Sequence, residues 1–221
     1  MTEAERAELV EVWRQRQVLV RAEGDMVRRI KALAKRTGLP VHDPVVMLAA
    51  EPFEAARLVL RRSRLALEKR LRLLVRGDPA WLWAKDVPGL AELGVASLIA
   101  EAGGDLRTYP THSKLWRRLG LAVSEDGRAQ GRRVGAAGEL EGFSPQRRAV
   151  SYNVASALLR VQTPINGAYR QLYDQRRVHE ETADIGLKHA HNRAQRYVEK
   201  RIVRDLWSAA RKDIEASRCL P

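Results

Sequence analysis

Cysteine is nearly missing from this chain: Cys219 is the only one in 221 residues, so no disulfide can form within it. That excludes a disulfide-stapled scaffold and points to a reducing cytoplasm as the expected location. Long apolar runs are missing as well. The longest, such as Val45 to Ala50, fall far short of the roughly 20 residues that cross a bilayer, so no membrane association is expected. The opening MTEAERAELVEVW is acidic and amphipathic, unlike a signal peptide. Acidic residues are also scarce: 27 Asp and Glu face 40 Lys and Arg, leaving a formal charge of +13. Codon bias can explain a preference for arginine over lysine, but not that shortfall of acids. An excess of this size points to a polyanion partner, chiefly nucleic acid.

Several kinds of chemistry have no foothold. There is no GxGxxG, no Walker loop and no nucleophile elbow, so no cofactor is expected. The histidines are His42, His112, His179, His189 and His191. The last two are two apart on a predicted helix and point about 200° apart, so they cannot share a metal as an i, i+4 pair does. No metal site is expected. Trp81, Trp83, Trp116 and Trp207 read as core or interface aromatics rather than base-stacking platforms.

What is present is helical periodicity, and no stretch alternates like a strand. Thr2 caps a first helix with Glu3 and Glu5 in its first turn, and Gly38-Leu39-Pro40 ends it. Asp43-Pro44 opens a short helix through Ala50, and Pro52 restarts the chain into a long helix ending at Gly77-Asp78-Pro79. One side of that helix is apolar and the other strongly basic, with only Glu54 and Glu68 to offset it. Ser144-Pro145 caps a later helix whose first turn carries Arg147 and Arg148, a cost against the helix dipole that an anion there would relieve. Two more helices are predicted, about 165–180 and 187–217. The expected fold is all-α, with a helical hairpin or coiled coil over residues 1–78 that self-associates as a homodimer, then a helical domain over 79–221. Ser124 to Ser144 reads as a flexible basic loop rich in glycine and arginine.

The central stretch is Val87 to Leu121. Pro88-Gly89 makes a tight turn, an apolar helix follows, Gly103-Gly104 ends it, and a second helix begins near Thr111. Glycine lets another backbone come close, and first-turn amides can meet a phosphate, which is the helix-hairpin-helix way of gripping DNA without reading its sequence. The same pattern also fits an αα-hairpin packed for stability alone.

Pro88-Gly89-Leu90, Ala96 to Ala100, Glu101, Gly103, Lys114-Leu115 and Leu119-Gly120-Leu121 resemble the transposase domain of the insertion sequence 110/116/902 family. The likeness extends more loosely over roughly residues 50–210. It implies DNA rather than RNA as the polymer, and a mobile element or phage as the source. Two departures matter. The family's RuvC-like domain with its four carboxylates is missing: Asp25, Asp43 and Asp78 are the only aspartates in the first 80 residues, all in predicted helices or turns, and two-metal chemistry needs converging carboxylates. The family's nucleophilic serine directly precedes a glycine, whereas here Asp126-Gly127 occupies that place and Ser124 lies two residues earlier. Ala91 also replaces the second glycine of the turn.

The expected function is therefore that of a transposase-derived nucleic-acid-binding protein without metal-dependent nuclease activity. Lys85, Gly89, Lys114, Arg117, Arg118, Arg128, Arg132, Arg133, Arg147 and Arg148 are the candidate contacts. Two alternatives remain open: a serine-dependent recombinase subunit using Ser124 with carboxylates from a partner, and a helical adaptor whose basic face meets an acidic protein.

Overall fold

A computed structural model describes residues 1–123, 129–131, 142–161, 167–183 and 185–218, with side chains to 212. Among these residues eight α-helices are formed: α1 (Glu3–Thr37), α2 (Pro44–Val75), α3 (Pro79–Ala84), α4 (Glu92–Ala102), α5 (His112–Arg118), α6 (Pro145–Leu159), α7 (Ala168–Glu181) and α8 (Leu187–Arg218). Among the described residues there is no strand, only an isolated antiparallel bridge between Val123 and Ala129. The fold is all-α.

The ends of α1 follow from local chemistry. Thr2 and Glu5 form a reciprocal capping box, and Gly38 adopts φ 69°, the left-handed conformation in which a side chain is strained. Asp43 caps α2 through its side chain, with Pro44 at the first helical position. Pro52 does not restart the chain, contrary to the sequence expectation; α2 runs through it without interruption. Pro52 is exposed, as is Leu48 one turn earlier, so the carbonyl that proline leaves without a donor faces water. The sequence reading also passed over α3, although Asp78-Pro79 repeats the Asp-Pro opening of α2.

Helices α1 and α2 lie antiparallel, and the basic side of α2 is less open than its own sequence suggests. Arg70 Nε donates to Glu8 (2.6 Å), and Arg64 to Glu23 (2.7 Å) and Glu68 (2.8 Å). Arg16 also donates to buried Glu68, at 2.8 Å. Acids from α1, distant in sequence, thus neutralise two members of the stripe, Arg64 and Arg70.

One core joins the base of this hairpin to everything after it. Leu9, Val12 and Trp13 of α1 and Leu71, Leu74 and Val75 of α2 pack in the same cluster as α4, α6 and α8. A continuous core therefore crosses the boundary expected at residue 78. Helix α4 is buried at every position from Val95 to Ala102, which places the apolar run of the central stretch in the middle of the molecule. Trp116 and Trp207 are half-buried and anchor α5 and the preceding loop to α8: Trp116 Nε1 donates to the Lys200 carbonyl (3.0 Å) and Trp207 Nε1 to that of Tyr109 (2.9 Å).

Candidate nucleic-acid interface

The central bend is occupied by protein. Gly104 has φ 97°, and a Cβ there would meet the Arg6 carbonyl of α1 at 3.2 Å. Gly89 has φ 86°, and a Cβ there would overlap Val161 and stand 3.1 Å from the Leu158 Cα, so its close approach is to the end of α6. Lys85, exposed beyond α3, lies in the same connection as Gly89. The first turn of α6, with Arg147 and Arg148, is at that helix's other end. At about 1.5 Å per residue the two ends are roughly 20 Å apart, so the candidate contacts fall in two places.

Four of them do converge. Lys114, Arg117 and Arg118 of α5 and Arg147 of α6 line one open cleft of about 420 Å³, with Tyr109, Pro110 and Gly142 completing its wall. Helix α5 brings its three cations together because it is short and anchored through buried Leu115, so Lys114 and Arg117 sit one turn apart in solvent. Among the described residues no carboxylate lies within ion-pair distance of Lys114, Arg117 or Arg118. Arg118 Nε donates instead to the Glu101 carbonyl, at 3.2 Å.

Arg147 is the most constrained of the four. Its Nε stands 3.7 Å from Glu101 Oε2. Burial first, and then the charge of Arg118, push its guanidinium below its ordinary pKa. Glu101 is itself buried and heavily used: its Oε1 accepts from Trp13 Nε1 (2.8 Å) and Gln146 Nε2 (2.7 Å). One carboxylate therefore ties α1, α4 and the start of α6 together, and only its second oxygen faces the cleft cations. The Tyr109 hydroxyl donates to the Ala102 carbonyl (2.5 Å), fixing the ring as the floor of the cleft; burial raises this phenol's pKa, against the pull of Arg118 and Arg147.

Arg148 points elsewhere. It forms a two-pronged pair with Glu199 of α8, which is fully buried, one arm measuring 3.1 Å. Burial pushes the Glu199 carboxyl up to about 7, opposed by the Arg148 guanidinium. The anion that two cations in the first turn of α6 call for is thus supplied from inside the chain, by Glu101 for Arg147 and Glu199 for Arg148. Ser124, Arg128, Arg132 and Arg133 lie outside the described residues.

Sequence reasoning missed Tyr109, Gln146 and the role of Glu101. Only Glu101 left a signal: it is a lone acid in the otherwise apolar run VASLIAEA, a position where a carboxylate needs partners. Among the described residues no group of His, Cys, Asp or Glu is arranged to hold a metal ion. Among the same residues no helix is long and apolar enough to cross a membrane.

Comparison of the chain with protein-family models, curated proteins and solved structures finds no match.

Proposed function

We propose that the chain binds nucleic acid by its phosphate backbone, at the cleft between α5 and the first turn of α6, without cutting it. The observation that carries this reading is the gathering of Lys114, Arg117, Arg118 and Arg147 around one open cleft in which, among the described residues, a single, already engaged carboxylate is their acidic neighbour. Cations held this close repel one another, and a phosphate strand relieves that repulsion. Arginine forks suit phosphate oxygens, and contacts to phosphate carry no sequence information, so the binding proposed is sequence-independent. The preference for DNA, and a transposase domain as ancestor, rest on the sequence resemblance of Val87 to Leu121.

The test is duplex affinity measured against salt. Four neutralised phosphates give a log–log slope near about −3.6, so affinity falls about a hundredfold between 50 and 200 mM salt. Salt-independent binding, or none after nuclease treatment of the purified protein, would count against the reading.

The same proposal includes self-association through the N-terminal helices, with a second copy as the partner. Val45, Leu48, Pro52, Ala55 and Val59 recur at alternating steps of three and four along α2, all on its exposed side, with Leu48 at 74% and Val59 at 66% exposure. The seam that faces α1, marked by Val46, Ala50, Leu71 and Leu74, is a different one. An uncovered stripe with coiled-coil spacing is what a partner helix covers. Sedimentation equilibrium is expected to show a concentration-dependent dimer that Leu48→Glu abolishes; a monomer at every concentration would remove this part.

A further inference from the structure

The other side of the first turn of α6 opens on a second pocket, of about 400 Å³, that the cleft does not use. Arg148 and Tyr152 of α6 form one wall, and His189, Asn192, Arg193 and Arg196 of α8 the other. Glu199 also lines it, and the carboxylates that its cations meet are already engaged. Glu199 is held by Arg148, and Glu180, which faces Arg193 at 3.1 Å, is shared with Arg176.

Arg196 is the odd member. Its Nη2 donates to the Ala122 carbonyl at 2.8 Å, but its Nε is buried and has no hydrogen-bond partner among the described residues. A buried donor left unmade is costly, and a charged one more so. Burial first, and then the Arg148 charge, press on its protonated form. An anion in the pocket offsets the excess of guanidinium groups that Arg148, Arg193 and Arg196 bring to it. A carboxylate from the chain would do the same, but the one nearby is spent on Arg148.

We propose that this second pocket binds a phosphate group against the guanidinium of Arg196, with Asn192, Arg193 and His189 at its mouth. The proposal stands apart from the nucleic-acid reading. Where both hold, a strand lying in the cleft crosses the exposed start of α6 and places a second phosphate here. Where only this one holds, the pocket serves a small phosphate anion.

The test uses the full chain and inorganic phosphate at constant ionic strength, with chloride as the reference anion. Phosphate is expected to shift the Arg196 Nε–Hε resonance in side-chain NMR spectra with a saturable dependence. Asn192 is exposed on α8, so Asn192→Glu keeps the fold while setting a like charge at the mouth; it is expected to raise the half-saturating phosphate concentration about tenfold or more. Asn192→Lys is expected to lower it. No response of Arg196 to phosphate, or a response equal in Asn192→Glu and the wild type, would overturn the proposal. A short unphosphorylated single strand titrated in parallel separates the sources: a shift from the strand too assigns a strand phosphate, and a shift from inorganic phosphate alone a small anion. An Arg196 response that survives when duplex binding is absent upholds this pocket while the nucleic-acid reading falls.

Discussion

Replacing Lys114 and Arg117 together with alanine is expected to weaken duplex binding roughly fiftyfold at 0.1 M salt and to flatten the log–log salt slope by about 1.8. Each phosphate contact on B-DNA adds about 0.9 to that slope, and at 0.1 M salt each is therefore worth close to tenfold. The two side chains are suited to the test because the fold makes no use of them. Both are exposed on α5 and neither meets a carboxylate among the described residues. Leu115 between them carries the helix into the core and stays in place. Thermal stability is accordingly expected to move by no more than about 0.5 kcal/mol. Affinity measured by fluorescence anisotropy at four or more salt concentrations reads both quantities at once. A double variant with wild-type slope and affinity would remove the cleft as the binding site. Lys85, outside the cleft at the end of α3, serves as the control: Lys85→Ala shifts the slope by about one contact at most if the strand reaches that far.

How much of this was legible in the sequence depends on the distance over which each feature is decided. The ends of α1, α2 and α6 were readable because they are local: Thr2 with Glu5, Gly38, Asp43-Pro44 and Ser144-Pro145 each settle their own turn. Pro52 was misjudged by the same local rule, since its cost depends on whether the carbonyl it orphans meets water. Charge was the least readable property. Arg64 and Arg70 looked like part of a bare cationic stripe, yet Glu23 and Glu8, 41 and 62 residues away, neutralise them. Only the antiparallel register of α1 on α2 decides that. Arg147 and Arg148 looked like neighbours with one role, but adjacent helical residues diverge by about 100°, and they face different carboxylates in different pockets. Of the glycine bend, its position was legible and its neighbours were not. Gly89 and Gly104 do allow close approach, and what approaches is α6 and α1. Lys114, Arg117 and Arg118 could be foreseen as one cluster because α5 alone holds them; Arg147 joins them only through the packing of α6 on α4.

Glu101→Leu is expected to be the most damaging single change, destabilising the fold by about 3–5 kcal/mol. The leucine matches the apolar lining of α4, so the loss is not one of packing. It comes from what the carboxylate leaves behind: the Trp13 indole N–H and the Gln146 amide lose their acceptor, and the half-buried Arg147 guanidinium loses its counter-charge. Breaking a buried pair by removing one partner strands the other charge, which costs more than the pair contributes when intact. With a typical total of about 5–15 kcal/mol, such a loss brings the chain close to unfolding. Glu101→Gln separates the hydrogen bonds from the charge. An amide oxygen still accepts from Trp13, so the stability loss should be no more than about half as large. Meanwhile Arg147 is freed of its one acidic neighbour among the described residues, and the cleft gains one unit of positive charge. Duplex affinity of Glu101→Gln is therefore expected to rise, with a salt slope steeper by up to about 0.9, while urea denaturation shows a less stable protein. Stability and binding moving in opposite directions is the signature of a carboxylate that holds the fold together while restraining the cleft. A Glu101→Leu protein within about 1 kcal/mol of the wild type, or a Glu101→Gln protein that binds more weakly, would contradict that role.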